Sequence, residues 1–327
     1  MTDEMSLKDV FAAAKRIEAL VYRTPLIRSH RLEKQTGAKR VYLKLESLQN
    51  TGAFKVRGAA NKISSLSDEE RKRGVITFST GNHGKAVAYV AGRMGIPAVV
   101  CISEHVPSYR AERIRELGAE VMQKGHSQDE AEALYYELMR KRNMIPVVPF
   151  DDPHIIAGQG TIGLEMIRDR PELDTLLVPL SGGGLLAGVA LSATEINPGM
   201  EVVGVSIEQS PAMLESLKAG RPVQVEEKDT LADSLLGGIG TENNYTLPLI
   251  QQRVKTHVVV GEHEIERAMY TAFSEHSLVI EGAAAVGIAA LQSGLIDVTG
   301  KSVGLVISGS SVEPARYLGV LQKYIEG

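Results

Sequence analysis

An α/β fold built on mostly parallel sheet follows from three features of the sequence. Short apolar runs alternate with helical patterns almost throughout, and glycine-bearing loops fall where such runs end. The third is size, since 327 residues with 43% hydrophobic content can bury a sizeable core. Val75-Ile76-Thr77-Phe78 precedes a helical pattern from Asn82 to Met94. Pro97 to Ile102 leads to Ala111–Leu117, and Glu120-Val121-Met122 leads to a charged helix over Gln128–Arg142. Thr175-Leu176-Leu177-Val178 precedes Leu185–Ile196, and Val202-Val203-Gly204-Val205 precedes Ala212–Ala219. Ser302–Ile307 and a last helix over Pro314–Tyr324 close the pattern. Strands interleaved with helices at this spacing are βαβ units with helices on both faces, and ligands gather at the carboxyl ends of their strands. Gly220–Asp229 reads as a surface excursion, and Asp233–Tyr245 as a loop over a site.

Composition narrows the function classes. A net charge of −4 drawn from both signs leaves no footprint for nucleic acid. No run reaches the ~18 apolar residues of a membrane helix. The acidic start Met1-Thr2-Asp3-Glu4-Met5 is unlike a signal peptide, and a cytoplasmic protein is expected. The single cysteine, Cys101, excludes an internal disulfide and sits in the apolar run Ala98-Val99-Val100-Cys101-Ile102, where a buried strand residue is expected rather than a catalytic thiol.

Two stretches carry chemistry. In Ala53-Phe54-Lys55-Val56-Arg57-Gly58 a lysine stands beside an aromatic ring at a predicted helix start. Burial disfavours the ammonium form and makes an amine nucleophile, and Phe54 offers a face for a flat heteroaromatic ring. A helix-face lysine beside a core phenylalanine is the other reading, and the hexapeptide alone leaves both open. The second stretch, Ser181-Gly182-Gly183-Gly184-Leu185-Leu186-Ala187-Gly188, lies between a strand and an apolar helix. Free amides and the positive end of a helix dipole there suit a phosphate without lysine or arginine. No Gly-Lys-Ser/Thr follows, so it is not a nucleotide P-loop, and the dinucleotide GxGxxG spacing is lacking; a purely structural glycine turn is the alternative. A lysine nucleophile together with a phosphate cradle is what pyridoxal phosphate requires of a protein.

At these residues the chain resembles the serine/threonine dehydratases, fold-type-II (tryptophan-synthase-β-like) pyridoxal phosphate enzymes. The resemblance runs from Arg23-Thr24-Pro25-Leu26 through Lys44-Leu45-Glu46-Ser47-Leu48-Gln49, the box around Lys55 and Ser79-Thr80-Gly81-Asn82-His83-Gly84. It continues in Ile156-Ala157-Gly158-Gln159-Gly160-Thr161, the glycine run, Leu231-Ala232-Asp233 and Val306-Ile307-Ser308-Gly309. Within the family, Ser127-Gln128-Asp129 and the forms of the lysine and asparagine boxes are most similar to dehydratases associated with hydroxyectoine utilisation.

The resemblance implies two open twisted, mostly parallel sheets with the cofactor in the cleft between domains: a large domain over 1–77 plus 149–327 and a small one over 78–148. It implies that Lys55 holds pyridoxal 5′-phosphate as a Schiff base with Phe54 on its ring. Asn82 then faces the phenolic oxygen, Gly182, Gly183, Gly184 and Leu185 hold the phosphate, and Ser308 faces the pyridine nitrogen. The amides and hydroxyls of Ser79, Thr80, Gly81, Asn82 and His83 are expected to bind the substrate carboxylate. It also implies a homodimer, and, with no regulatory domain appended, no feedback by isoleucine. A hydroxyl at the pyridine nitrogen leaves it largely neutral, which favours expelling a leaving group over transamination. The expected reaction is elimination of water from a β-hydroxy-α-amino acid (threonine, serine, 3-hydroxyaspartate or a larger hydroxylated amino acid), giving a 2-oxo acid and ammonia. A racemase, a β-replacement synthase and a catalytically silent binding protein are the alternatives.

Racemisation needs a second base, a serine in related racemases; here that position is Thr80, a catalytic candidate whose hydroxyl can still shuttle a proton but whose methyl group crowds the site. A divalent cation is not favoured: Glu208 and the Ala212 carbonyl match the racemase-like site, but Leu214 replaces a carboxylate, and such ions want about six oxygens. Ser181, Ser234 and Ser310-Ser311 also depart from the family pattern. Glu281 at a predicted helix start has a dipole role and, by resemblance, an approach to the cofactor ring as equal readings. His83 is expected to be a hydrogen-bonded structural histidine rather than a base.

Overall fold

The computed structural model describes residues 5–106, 108–125 and 128–325. Helix α1 (Leu7–Ile17) precedes β1 (Leu26–Arg28), α2 (His30–Thr36), β2 (Arg40–Lys44), α3 (Lys55–Ser64) and α4 (Asp68–Arg73). A tight alternation follows: β3 (Val75–Phe78), α5 (Asn82–Met94), β4 (Ala98–Ile102), α6 (Ser108–Glu116), β5 (Glu120–Gln123), α7 (Gln128–Lys141) and β6 (Ile145–Pro146). Then come α8 (Pro153–Asp169), β7 (Thr175–Pro179), α9 (Gly184–Ile196), β8 (Glu201–Ile207), α10 (Ala212–Ala219) and α11 (Thr246–Arg253). The chain closes with β9 (Thr256–Val260), α12 (Glu262–His276), α13 (Gly282–Gln292), β10 (Ser302–Val306) and α14 (Pro314–Ile325).

These strands form two sheets, as the resemblance implies. The larger has six strands in the order β1-β2-β10-β7-β8-β9, parallel except for β1, which runs antiparallel to β2 with Leu26 opposite Lys44. The smaller is fully parallel, in the order β5-β4-β3-β6. Central strands such as β7 and β10 are buried at every position, the run of apolar residues expected where helices cover both faces. The helices form two apolar layers on the large sheet, one built around α12 and α13 and the other around α8 and α9. On the small sheet, the layer with α3 and α5 is matched by a thinner one under α7. Cys101 is buried in β4, as expected.

Three differences from the sequence reading have physical causes. Strand β3 lies wholly in the smaller sheet, between β4 and β6, because its buried Val75-Ile76-Thr77 run pairs with them. Strand β9 went unrecognised because it is an edge strand, half-exposed, whose Thr256-His257 start breaks the apolar run. Helix α6 starts at Ser108, three residues before the apolar face anchored by Ala111 and Ile114. Among the described residues, no helix is long and apolar enough to cross a membrane.

Candidate active site

The expected residues come together at the carboxyl ends of strands from both sheets. Helix α3 begins at Lys55 with Phe54 as its N-cap, which confirms the predicted helix start. The segment before it is stitched to the end of β10: Phe54 N–H donates to the Ser308 carbonyl (3.0 Å), and Ala53 pairs with Gly309 in an isolated antiparallel bridge. Lys55 Nζ lies 5.3 Å from the centre of the Phe54 ring and donates to the Pro149 carbonyl at 2.9 Å. Burial lowers the Lys55 pKa to about 8, against the opposing pull of the Glu281 carboxylate. The nucleophile reading of Lys55 thus has a physical basis in its surroundings.

Adjacent to Pro149, Phe150 forms the floor of the glycine run. A Cβ on Gly182 would stand 2.3 Å from the Phe150 ring, so only glycine lets this loop lie against it. Gly183 has φ +89° and caps α9, a left-handed conformation that glycine adopts without strain. No side chain caps α9, so its first-turn amides are free to hold an anion. Thr246 braces the loop from the other side, its Oγ1 donating to the Gly182 carbonyl at 3.0 Å. Thr246 is itself set by Asp151, whose Oδ1 accepts its amide at 2.8 Å. Two consecutive residues, Pro149 and Phe150, therefore touch the lysine amine and the anion cradle respectively.

The third component is the loop after β3. Gly81 caps α5 without a side-chain hydrogen bond, leaving the amides of that helix start available, and Gly81 N–H donates to Ser79 Oγ at 3.3 Å. Thr80 is half-buried in the same loop. His83 is buried, its Nε2 lies 2.9 Å from the Val147 carbonyl, and burial followed by the nearby Lys55 charge takes its pKa down to about 3. It is a neutral, hydrogen-bonded histidine, as expected.

Asn82 and Glu281 depart from the simplest expectation. Asn82 Nδ2 donates to both Glu281 oxygens at 3.0 Å, while its buried Oδ1 has no partner. Glu281 occupies the N-cap position of α13, yet its side chain makes no capping bond. It turns instead to Asn82, Ser234 Oγ (3.0 Å) and the Ser311 amide (2.9 Å), which ties the α13 start to the loop after β3. Burial raises its pKa despite the hydrogen bonds from Asn82 and Ser234. Lys85, on α5, reaches Ser311 Oγ from the opposite side.

Sequence reasoning missed two features. One is the Pro149–Phe150 bridge, signalled only by a lone aromatic before the Asp-Asp-Pro helix start. The other is a charge cluster beneath the site. Arg57, fully buried, makes paired hydrogen bonds to Glu46 (2.8 and 2.8 Å) and to Glu165 (2.7 and 2.9 Å). Lys44 donates to Glu165 and to the Thr24 carbonyl. Ser127 lies outside the described residues, as do the side chains of Gln128 and Asp129, so the subfamily motif they form has no structural counterpart here.

The donor set fits pyridoxal phosphate. It supplies a desolvated amine and an uncapped helix start behind a glycine turn, whereas Asn82 gives its Nδ2 to Glu281 and keeps only an acceptor, Oδ1, unpartnered. Among the described residues, no group of three or more histidine, cysteine or acidic side chains could hold a metal. Residues 17–309 match the family described as pyridoxal-phosphate dependent enzyme. The chain is 42% identical to the L-threonine ammonia-lyase of Thermotoga maritima, over 94% of this chain and 76% of that one. It is 38% identical to a catabolic L-threonine dehydratase of Staphylococcus aureus, over 97% and 92% of the two chains. The structure of maize serine racemase is similar with a TM-score of 0.91 and 30% identity, covering 98% of each chain.

Proposed function

The chain belongs to the pyridoxal-phosphate-dependent enzyme family, and we propose that it removes water from a β-hydroxy-α-amino acid of the L-threonine or L-serine type, releasing a 2-oxo acid and ammonia. The observation that carries this reading is the Lys55 amine, desolvated to a pKa of about 8 and joined to an uncapped glycine-rich helix start through Pro149 and Phe150. When bound, the cofactor supplies the electron sink that acidifies the α-hydrogen of an attached amino acid.

The protein's own groups do the rest. Lys55 would hold the cofactor aldehyde and, when free, would take the α-proton at Nζ. The amides of Gly182, Gly183, Gly184 and Leu185 would hold the phosphate, Phe54 would cover the ring, and Asn82 and Ser308 would face its oxygen and nitrogen. The loop from Ser79 to His83 receives the substrate carboxylate, for which unpaired N–H donors at a helix start are well suited. His83, held neutral, adds no charge there. We divide the chain into a large unit and a small one that begins before Val75 and ends near residue 148, with the site between them. We read the protein as a cytoplasmic homodimer that takes a small amino acid and neither nucleic acid nor a metal.

Incubation of the holoenzyme with L-threonine is expected to yield 2-oxobutanoate and ammonia in equal amounts. Bound cofactor without turnover of any hydroxyamino acid would sink the reading. The likeness to a serine racemase favours a second activity, which D-serine formed from L-serine would reveal; the branched Thr80 places it below elimination. The amine also sets a pH dependence. Only its neutral form condenses with an aldehyde, and below the pKa that fraction falls tenfold per pH unit. Uptake of the cofactor by the apoprotein, followed by visible absorbance, is therefore expected to accelerate from pH 6 up to about 8 and then level. A rate independent of pH over that range would contradict a desolvated amine.

A further inference from the structure

Beside Glu281 lies a small recess bordered by Arg110 on α6 and by Asp233, Ser311, Glu313 and Arg316. Glu281 is the shared wall between this space and the reacting centre, since it also binds Asn82 and lies within electrostatic reach of Lys55. The unpartnered Asn82 Oδ1 marks this side of the centre as ligand-facing. On the lyase reading, a substrate held by its carboxylate at the Ser79–His83 loop, with its α-carbon near Lys55, would direct its side chain along this wall.

The charges around the recess do not cancel. Arg316 is occupied by Asp229, at 3.2 and 3.3 Å, and by the Thr230 carbonyl. Lys85 sits by Ser311 within reach of Glu281. Among the described residues lining the recess, Arg110 is the cation within electrostatic reach of both Asp233 and Glu313. Asp233 also lies within reach of Glu281, so negative charge extends to the wall itself. Like charges brought together at a recognition surface suppress the wrong partner more than they strengthen the right one.

We propose that Asp233 and Glu313, partly offset by Arg110, form a charge filter at the mouth of the site that admits β-hydroxyamino acids with uncharged side chains and rejects those bearing a second carboxylate. The inference rests on the lyase reading for the placement of the substrate, and it selects the threonine and serine class over 3-hydroxyaspartate.

Two amino acids without a leaving group test it by binding alone: L-2-aminobutyrate, the shape of threonine without its hydroxyl, and L-aspartate, the corresponding acid. Titrated into the holoenzyme and followed by visible absorbance, aminobutyrate is expected to bind at least ten times more tightly than aspartate. The double variant D233N/E313Q, which alters two exposed side chains, should shrink that ratio severalfold, and R110M should widen it. The opposite signs separate a charge effect from general disruption. A ratio near one in the wild type, a ratio unmoved in the variants, movement of both in the same direction, or binding of neither amino acid would each overturn the filter. Turnover of L-threonine is measured on the same preparation, so failure of the lyase reading shows as missing 2-oxobutanoate with the binding ratios intact.

Discussion

Replacement of Lys55 by methionine is expected to abolish the visible absorbance of the holoprotein and to slow 2-oxo acid formation by at least about a thousandfold, the scale of losing both a covalent anchor and a general base. Of the other lysines, Lys85 is held at Ser311 and Lys44 is buried against Glu165. The same variant carries an expectation for stability. In the apoprotein, burial has lowered the Lys55 pKa from 10.5 to about 8. Between those values the unfolded chain holds a proton that the native state releases, so native stability rises with pH across that window and is penalised below it. The penalty is at most about 3 kcal/mol at neutral pH. Apo Lys55→Met is thus expected to melt higher than the apo wild type at pH 7, with the advantage fading towards pH 10. Thermal melts at both pH values check this, and a lower midpoint for the variant at pH 7 would show that the amine is not under strain.

The second large effect concerns Arg57. Substituting methionine of similar length strips Glu46 of its main partner in a site with no solvent access, and destabilisation of about 3–5 kcal/mol is expected. In the wild type, burial pushes the Glu46 carboxyl up, but the charge and hydrogen bonds of Arg57, aided by Lys44 and Thr24, outweigh it and hold the pKa below 4.5. Its contribution to stability is therefore present above that value and lost as pH falls through the lowered native pKa. Without Arg57, burial dominates, Glu46 titrates upward, and the variant loses stability as pH rises instead. The gap between wild type and Arg57→Met in urea unfolding should consequently be wider at pH 7 than at pH 5. A gap below about 1 kcal/mol, or one that does not depend on pH, would mean that the cluster contributes little. Since Arg57 lies two residues from Lys55 on the same helix turn, weaker cofactor retention is expected to accompany the change.

Much of this was legible in the sequence, for a reason tied to chain distance. The α5 and α9 starts, the glycine turn and the Lys55 helix start are encoded by neighbouring residues, so spacing alone exposes them. The pairs that complete the site are not. Asn82 meets Glu281 across 199 residues, and Arg57 meets Glu165 across 108. No local periodicity records such a meeting, and Glu281 could be read equally as an ordinary acidic helix start. Short strands failed for a related reason. The two residues of β6 and the three of β1 are too brief to show alternation, and their pairing is fixed by the sheet they join. The bridge from Lys55 to the anion cradle was hidden because Pro149 contributes only a backbone carbonyl, which any residue type would supply.

One topological detail reaches beyond the chemistry. Strands β3 and β6, through which the chain enters and leaves the smaller sheet, are hydrogen-bonded neighbours, with Val75 opposite Ile145. A stretch whose two ends meet in this way is a self-contained cassette, exchangeable during evolution without rerouting the rest of the polypeptide. Arg110 and the Ser79–His83 loop lie inside it, whereas Lys55 and the Gly182–Leu185 turn lie outside. Swapping the insert would then exchange Arg110 and the Ser79–His83 loop, Asn82 included, while Lys55, the Gly182–Leu185 turn, Asp233 and Glu313 stayed in place.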